Sequence, residues 1–364
     1  MSLAQPTTAH YRAFSVDDPR RWDGFVAAPT SRGHFMQSAA WARLRERGGW
    51  TVERWAVADG DAMLAGAQVL FRATPLGAVA YVPRGPVVAA DGMAVEDSTL
   101  RAATMLLEAL HAACRRRGAI FLKLETGSLA LDLRRLGFRP SRQAYQPKAT
   151  IVVDITPDLA TIAARQKSKT RYNIGLAQRR GVTVRVGDVA DVPAFYRLLV
   201  ATAQRDGFIV RAQDYYEALL ECFGDDVRLF LAEHGGELLA GIVVCACGPE
   251  ATYLYGASGN SHRNLMPNNL LQWAAMQWAK ARGCVRYDLW GIPEAAVDDA
   301  DADDAPGADP GKALWGVHRF KAGFGGAPLR HRGAYDYVYS PLRYWLWERL
   351  IPLYLRLRGA DPSG

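Results

Sequence analysis

One stretch, Tyr253 to Gly291, limits what this chain can fold into more than any other: YLYGASGNSHRNLMPNNLLQWAAMQWAKARGCVRYDLWG. Tyr253, Tyr255 and Ala257 alternate with Leu254 and Gly256, a strand period that runs into a Gly/Ser/Asn turn cluster. Beyond Pro267, helix formers continue from Asn268 to Arg282 and stop at Gly283, where a glycine suits the C-terminal turn. Val285 to Leu289 then reads as a second short strand. Strand, polar loop, buried helix and strand make a parallel crossover unit, and such sheets bind ligands outside the carboxyl end of the first strand. The loop between Ser258 and Pro267 is therefore expected to form the lip of an active site.

The chain has 364 residues, 49% of them hydrophobic, which is enough for two domains with a large buried core. No apolar run reaches about 18 residues and no signal peptide is visible, so a soluble cytoplasmic protein is expected. Cys114, Cys222, Cys245, Cys247 and Cys284 include no CxxC and no histidine at ligand spacing, so they read as structural thiols and no metal is expected. A net charge of +7 favours an anionic partner: nucleic acid, a phosphorylated substrate or a membrane surface.

Taken in order, residues 1–30 read as irregular, followed by a helix in QSAAWARLRERGGW that starts at Gln37 and Ser38. Arg45 on that helix is either a solvated charge or a phosphate ligand. Strands are expected in WAVAD, AGAQVLFRAT and AVAYVPRGPVV, the last splaying or ending at PRGP because proline cannot sit in a central strand. A helix from Ser98 to Arg117 leads to the strand AIFLKLE. RRRG-AIFLKLE and KARG-CVRYDLW then show the same order of basic helix end, glycine and strand. Two diverged copies of one α/β unit are expected, as domains 1–148 and 149–340 with a terminal helix at 341–364.

The second copy opens on the most basic window of the chain, with Arg165, Lys167, Lys169, Arg171, Arg179 and Arg180 and a helix cap at Asp154 or Thr156. A solvated helix face explains such a run, but the interleaved Tyr172 and Asn173 also suit a surface that touches phosphates. The acidic run from Glu294 to Gly311 lacks the glycine and the terminal glutamate of a calcium loop and reads as a surface loop. The terminal helix carries Trp345, Trp347 and Leu350 among Arg343, Arg349, Arg356 and Arg358, which fits either packing on the first domain or a lipid surface.

Several chemistries are poorly supported. GASGN lacks the spacing of a nucleophile elbow, and there is no Walker loop and no GxGxxG after a strand. An acetyl-coenzyme A transferase would need glycines wrapping a pyrophosphate at the helix start, and SHRNLMPNN offers none, so coenzyme A is not expected. What remains are Tyr253, Tyr255, His262, Arg263 and Asn264 at the lip, Arg211 and Tyr215 at i, i+4 on a helical start, and Phe320-Lys321 before GFGG. Gly323, Gly325 and Gly326 would let backbone or substrate come close to Lys321.

YLYGAS, RNLMPNNLLQWAAMQWAKARG, YDLWGI, HRFKAGFGG and KTRYNIGLAQRRGV together resemble the Fem (FemABX) peptidyltransferase family, over about residues 33 to 345. The resemblance implies an α/β fold of two tandem acetyltransferase (GNAT)-like domains and no cofactor. It implies an aminoacyl-tRNA donor and, as acceptor, the stem-peptide amine of a peptidoglycan precursor, lipid II or UDP-MurNAc-pentapeptide. By motif position, Phe320 and Lys321 match the transition-state segment. Arg211, Tyr215, Tyr253 and Tyr255 match the precursor channel, with Arg263 and Asn264 at its lip, and Arg45 and Glu125 match first-domain residues on the precursor's anionic part. Lysine and aspartate are aligned at those last two places in other members. Lys169 and Arg171 are then candidate tRNA or phosphate contacts, and the protein is expected to act as a monomer, with possible peripheral membrane contact through its last helix. The alternatives are a tRNA- or carrier-dependent N-acyltransferase for another amine, and a catalytically degenerate precursor-binding protein.

Overall fold

The computed structural model describes residues 10–31, 33–89, 97–127, 132–297 and 312–358. The chain divides into two compact units, residues 1–143 with 333–349 and residues 144–332 with 350–364. Each is built on one mixed sheet.

The first unit holds β1 (Tyr11–Ser15), α1 (Pro19–Val26), α2 (Ala39–Arg47), β2 (Thr51–Asp59), β3 (Ala62–Thr74), β4 (Gly77–Pro83), β5 (Val87–Val88), α3 (Asp97–Arg116), β6 (Ala119–Thr126) and β7 (Arg139–Pro140). Its sheet runs β1-β2-β3-β4-β6-β15-β7, with β5 paired to β3 and β15 (Gly333–Val338) arriving from far along the chain. Residues 11 to 26 are not irregular: β1 lies antiparallel on β2, and α1 begins where the Asp18 carboxylate accepts the Arg20 N–H at 2.9 Å. YRAFS is not announced as a strand because Phe14 breaks the alternation that Tyr11 and Ala13 begin; it pairs with the edge of β2 while Tyr11 and Ala13 pack on the core. As expected, Ser38 caps α2 and β4 ends at Pro83, followed by Arg84 at φ 51°. Helix α3 buries Leu106 and Leu110 against Leu122 and Leu124 of β6, each worth about 1.5–3 kcal/mol.

The strand YDYVY, placed by its sequence at the end of the second domain, lies instead in the first sheet as β15. Asp336 pairs directly opposite Lys123 of β6 and forms a 2.9 Å ion pair with it; both side chains are buried. Tyr344, in α10 (Pro341–Arg358), donates to the other Asp336 oxygen at 2.8 Å. The Tyr344 and Trp347 rings pack on Phe121 at 5.3 and 5.7 Å, so this side of α10 belongs to the first unit.

The second unit contains β8 (Ala149–Asp154), α4 (Leu159–Arg165), α5 (Ser168–Arg179), β9 (Thr183–Gly187), α6 (Val192–Asp206), α7 (Gln213–Phe223), β10 (Val227–His234), β11 (Glu237–Cys247), β12 (Glu250–Ser258), α8 (Pro267–Ala281), β13 (Arg286–Gly291), α9 (Lys312–Ala322) and β14 (Ala327–Arg330). The sheet order is β14-β8-β13-β12-β11-β10-β9. The basic window is two helices, broken at the extended residues Gln166 and Lys167, and its first cap is Asp158, which accepts the Thr161 N–H at 2.8 Å. Asp154 and Thr156 are tied to each other instead. Of the acidic run, Glu294–Val297 forms a short 3-10 turn, and residues 298–311 lie outside the described residues.

The crossover unit is present in both sheets: β4-α3-β6 in the first, β12-α8-β13 in the second, each with its two strands parallel. They differ in one respect that positions the site. β4 and β6 stay paired as far as Pro83 and Glu125, whereas β12 and β13 pair only at Glu250–Arg286, Ala251–Tyr287 and Thr252–Asp288. Beyond Thr252 the second pair is splayed, and a bulge opposite Val243/Val244 leaves Leu254 without a partner in the β11–β12 register.

Candidate functional site

A cavity of about 790 Å³ opens in the splay of the second unit. Its walls are Tyr253 and Gly256–Ser258 of β12, Ile242 of β11, Asn268 and Gln272 of α8, Phe320 and Lys321 of α9, and Thr202 to Phe208 at the end of α6, apart from Ala203 and Gln204. A smaller pocket of about 170 Å³ continues it around the start of α8, sharing Ser258, Arg263, Asn268 and Phe320. The loop after Ser258 thus borders this cavity, through Arg263.

Lys321 lies in the last turn of α9 and is 5% exposed. Its ammonium donates to the carbonyl oxygens of Trp290 at 3.0 Å and Gly291 at 2.7 Å, and sits 5.6 Å from the centre of the Tyr253 ring. Burial pulls its pKa down to about 8, against the opposing charge of Asp288. A lysine ammonium has three N–H donors, so with two on carbonyls one remains for a ligand at the cavity wall. Phe320 borders both cavities and meets Phe324 edge-on at 5.2 Å, a contact that fixes the end of α9.

The three glycines after Lys321 do not make room for a substrate. A Cβ on Gly323 would meet the Thr170 hydroxyl, one on Gly325 the Arg165 carbonyl, and one on Gly326 Ile151 and the Val152 carbonyl. Their close approach is to the chain itself, and it presses the end of α9 onto α4, α5 and β8. Gly256 is the glycine that lines the cavity: a Cβ there would overlap the Tyr253 hydroxyl, whose pKa burial pushes up to about 12.

The remaining residues singled out in the sequence fall in several places. Arg263 is exposed and borders both cavities; Asn264 is exposed and borders neither. Arg211, Tyr215 and Tyr255 form a stack of their own, with the Arg211 guanidinium 4.7 Å from the Tyr215 ring and the Tyr215 and Tyr255 hydroxyls 3.1 Å apart. Arg211 precedes α7 rather than standing on it, so the i, i+4 spacing works through stacking across the helix start. Tyr216 packs edge-on against Tyr255 at 5.2 Å, and burial pushes the Tyr255 hydroxyl pKa well up.

In the first unit, Arg45 is buried with its guanidinium 5.6 Å from the Trp41 ring and 5.2 Å from the Trp50 ring. Glu125 is also buried and accepts the Tyr81 hydroxyl at 2.5 Å. Lys169 is exposed at the start of α5. Arg171 is not a free surface charge: it donates to the Ala164 carbonyl at 3.1 Å and to the Gln166 carbonyl, closing the end of α4. Arginine near a helix C-terminus does this because the last carbonyls lack helical partners.

Sequence reasoning missed four contributors. Asp288 is 4% exposed and accepts the Trp290 N–H at 2.7 Å and the Thr150 hydroxyl, and Trp290 adopts φ 63°. Arg205 and Asp206 form a pair at 2.9 Å on the cavity wall, and Arg205 also holds the Ser258 carbonyl at 3.1 Å. The DLWG pattern carried a signal for the first two, since aspartate two residues before a buried backbone N–H is a turn former.

The FemAB family profile matches residues 19–129, 136–235 and 232–350. A lipid II:glycine glycyltransferase of Staphylococcus saprophyticus is 26% identical over 410 aligned positions, covering 91% of this chain and 94% of that protein. One from Staphylococcus aureus is 24% identical over 414, with the same coverage. Among solved structures, FemX superposes with a TM-score of 0.79 at 22% identity, covering 93% of this chain and 100% of its own. A tandem GNAT protein from the clavulanic acid biosynthesis pathway gives 0.52 at 14% identity, covering 91% and 99%. The two units are accordingly GNAT-like folds in tandem, and the chain belongs to the FemAB family.

Proposed function

We propose that this protein transfers an amino acid from the ester of an aminoacyl-tRNA to the stem-peptide amine of a peptidoglycan precursor. The observation that carries the reading is the Lys321 ammonium, held by two carbonyls at the wall of the splayed cavity with one donor to spare. In such a transfer the amine nitrogen bonds to the ester carbonyl carbon, the carbonyl oxygen takes up negative charge, and the carbon–oxygen bond to the ribose breaks as the tetrahedral species collapses. One proton leaves the amine and one reaches the departing ribose oxygen. Lys321 meets the developing oxyanion, which is where a preorganised charge acts most strongly. Phe320 and Tyr253 pack around the ester and hold it at attack distance.

On this reading Arg211, Tyr215 and Tyr255 take the precursor, the Arg211 guanidinium stacked on the Tyr215 ring giving this group the positive charge that suits an anionic precursor. Lys169 supplies an exposed charge for nucleic acid or precursor phosphate. The relatives named for lipid II and glycine support a lipid-linked acceptor and a small aminoacyl group. The test is incubation with charged tRNA and either lipid II or UDP-MurNAc-pentapeptide, followed by mass spectrometry. A gain of one or more aminoacyl units that needs the tRNA supports the proposal, and no gain with any aminoacyl-tRNA refutes it.

A further inference from the structure

We propose that Asp288 is a positioning residue for Lys321: it turns the end of β13 so that two carbonyls grip the ammonium, and it sets a carboxylate behind that grip. The inference rests on the reading of Lys321 as the oxyanion's partner. It assigns to a side chain outside the cavity the task of keeping that partner placed and charged.

The geometry is local. Asp288 is the last residue of β13 to pair with β12, opposite Thr252. Beyond it the register against β8 shifts, so that Gly291 comes to lie opposite Thr150. Across that shift one carboxylate oxygen, Oδ1, accepts both the Trp290 N–H at 2.7 Å and the Thr150 hydroxyl. An aspartate bonding the backbone two residues on is a turn device. Here it holds Trp290 at φ 63°, a conformation that side chains other than glycine rarely adopt. With Trp290 so placed, its own carbonyl and that of Gly291 both reach the Lys321 ammonium, at 3.0 and 2.7 Å.

The charges around the ammonium agree. From β12 it faces Tyr253, whose hydroxyl burial keeps protonated, and from β13 it faces Asp288. Arg319 and His318 precede it on α9, and Arg205, Asp206 and Arg263 border the same cavity. Burial works to discharge Lys321, and Asp288 is the charge that opposes it.

The test uses the full chain labelled with ¹³Cε-lysine, the Lys321 signal being assigned by its absence in Lys321→Met. In Asp288→Asn, which keeps the shape and both hydrogen bonds but removes the charge, the Lys321 titration midpoint should fall by about one unit, a tenfold change in its protonation. The alkaline limb of the kcat profile should move down by the same amount. At pH 7.5 kcat should fall with KM for both substrates nearly unchanged. Thr150→Val, which loosens the carboxylate without removing it, should shift both in the same direction by less, and Thr150→Ser should restore them. This second variant decides the matter if Asp288→Asn does not fold. An unchanged Lys321 midpoint overturns the positioning role. A Lys321→Met protein with normal kcat overturns instead the reading of Lys321 on which it rests, and the two failures are separately visible because the titration does not depend on turnover.

Discussion

Lys321→Met should make the protein more stable and far less active. Burial lowers the lysine pKa from 10.5 to about 8, and at 1.36 kcal/mol per unit this corresponds to roughly 3 kcal/mol that the folded state spends on holding the charge. Methionine has a similar volume and no charge to desolvate. It leaves the Trp290 and Gly291 carbonyls without the ammonium, at about 1–2 kcal/mol where cavity water replaces it only in part. A net gain of about 1–2 kcal/mol is expected at pH 7. The pH dependence has a definite sign. Below about 8 the lysine is charged in both states and the cost is present in full, and as the pH rises from about 8 to 10.5 the folded state alone gives up its proton and the cost disappears. The difference between the two proteins should therefore shrink over that window and reverse before pH 10, where the lost carbonyl contacts outweigh what remains of the cost. Meanwhile kcat should fall by about 100- to 1,000-fold, as for loss of one oxyanion donor, with precursor affinity kept. Urea unfolding at pH 7 and pH 10, alongside steady-state kinetics, provides both readouts. A variant that is less stable than the parent at pH 7, or one with near-normal kcat at saturating substrates, would refute the reasoning. A raised KM with kcat intact would mark Lys321 as a phosphate ligand only.

Three other outcomes follow from the structure. Gly325→Ala should cost about 2–5 kcal/mol, because φ is 81° and the new methyl meets the Arg165 carbonyl; thermal unfolding that moves by less than 2 °C would contradict the tight apposition of α9 and α4. Lys169→Gln should weaken binding to tRNA and reduce its salt slope by about one, whereas Arg171→Gln should lower stability through the end of α4 and leave the slope alone; equal effects on the slope would return both to the phosphate surface. On α10, Leu342 and Trp345 are 70% and 48% exposed on the side away from Phe121, with Arg349 stacked 4.5 Å from the Trp345 ring, so replacing both with serine should reduce co-sedimentation with anionic liposomes; no change would leave the helix as packing alone.

The features legible in the sequence were those carried by local chemistry. The crossover from Tyr253 to Gly291 was readable because period two, a proline at the helix start and a glycine at its end all lie within one stretch. Lys321 stood out because a lysine among aromatic residues and glycines has few bland uses. The less legible features depend on distant partners. β1 has no pattern of its own, and β15 joins the first sheet through Asp336 meeting Lys123 more than two hundred residues earlier. Arg171 reads as surface charge because nothing local shows that α4 stops at Arg165 and exposes carbonyls. The glycines at 323, 325 and 326 mark close approach, but the sequence does not say whether chain or ligand approaches. Asp288 is hidden because it and its partners, Thr150 and Lys321, lie on three separate elements. No helix among the described residues is long and apolar enough to cross a membrane.

The most direct test of the account is a single-turnover reaction with radiolabelled aminoacyl-tRNA and a stem-peptide precursor, in the parent protein and in Lys321→Met. The account predicts label on the precursor's side-chain amine in step with loss from the tRNA, at a rate about 100- to 1,000-fold lower in the variant although both proteins bind the precursor equally. Label that stays on the tRNA with the parent protein, for every amino acid and for both lipid-linked and nucleotide-linked precursors, would contradict it.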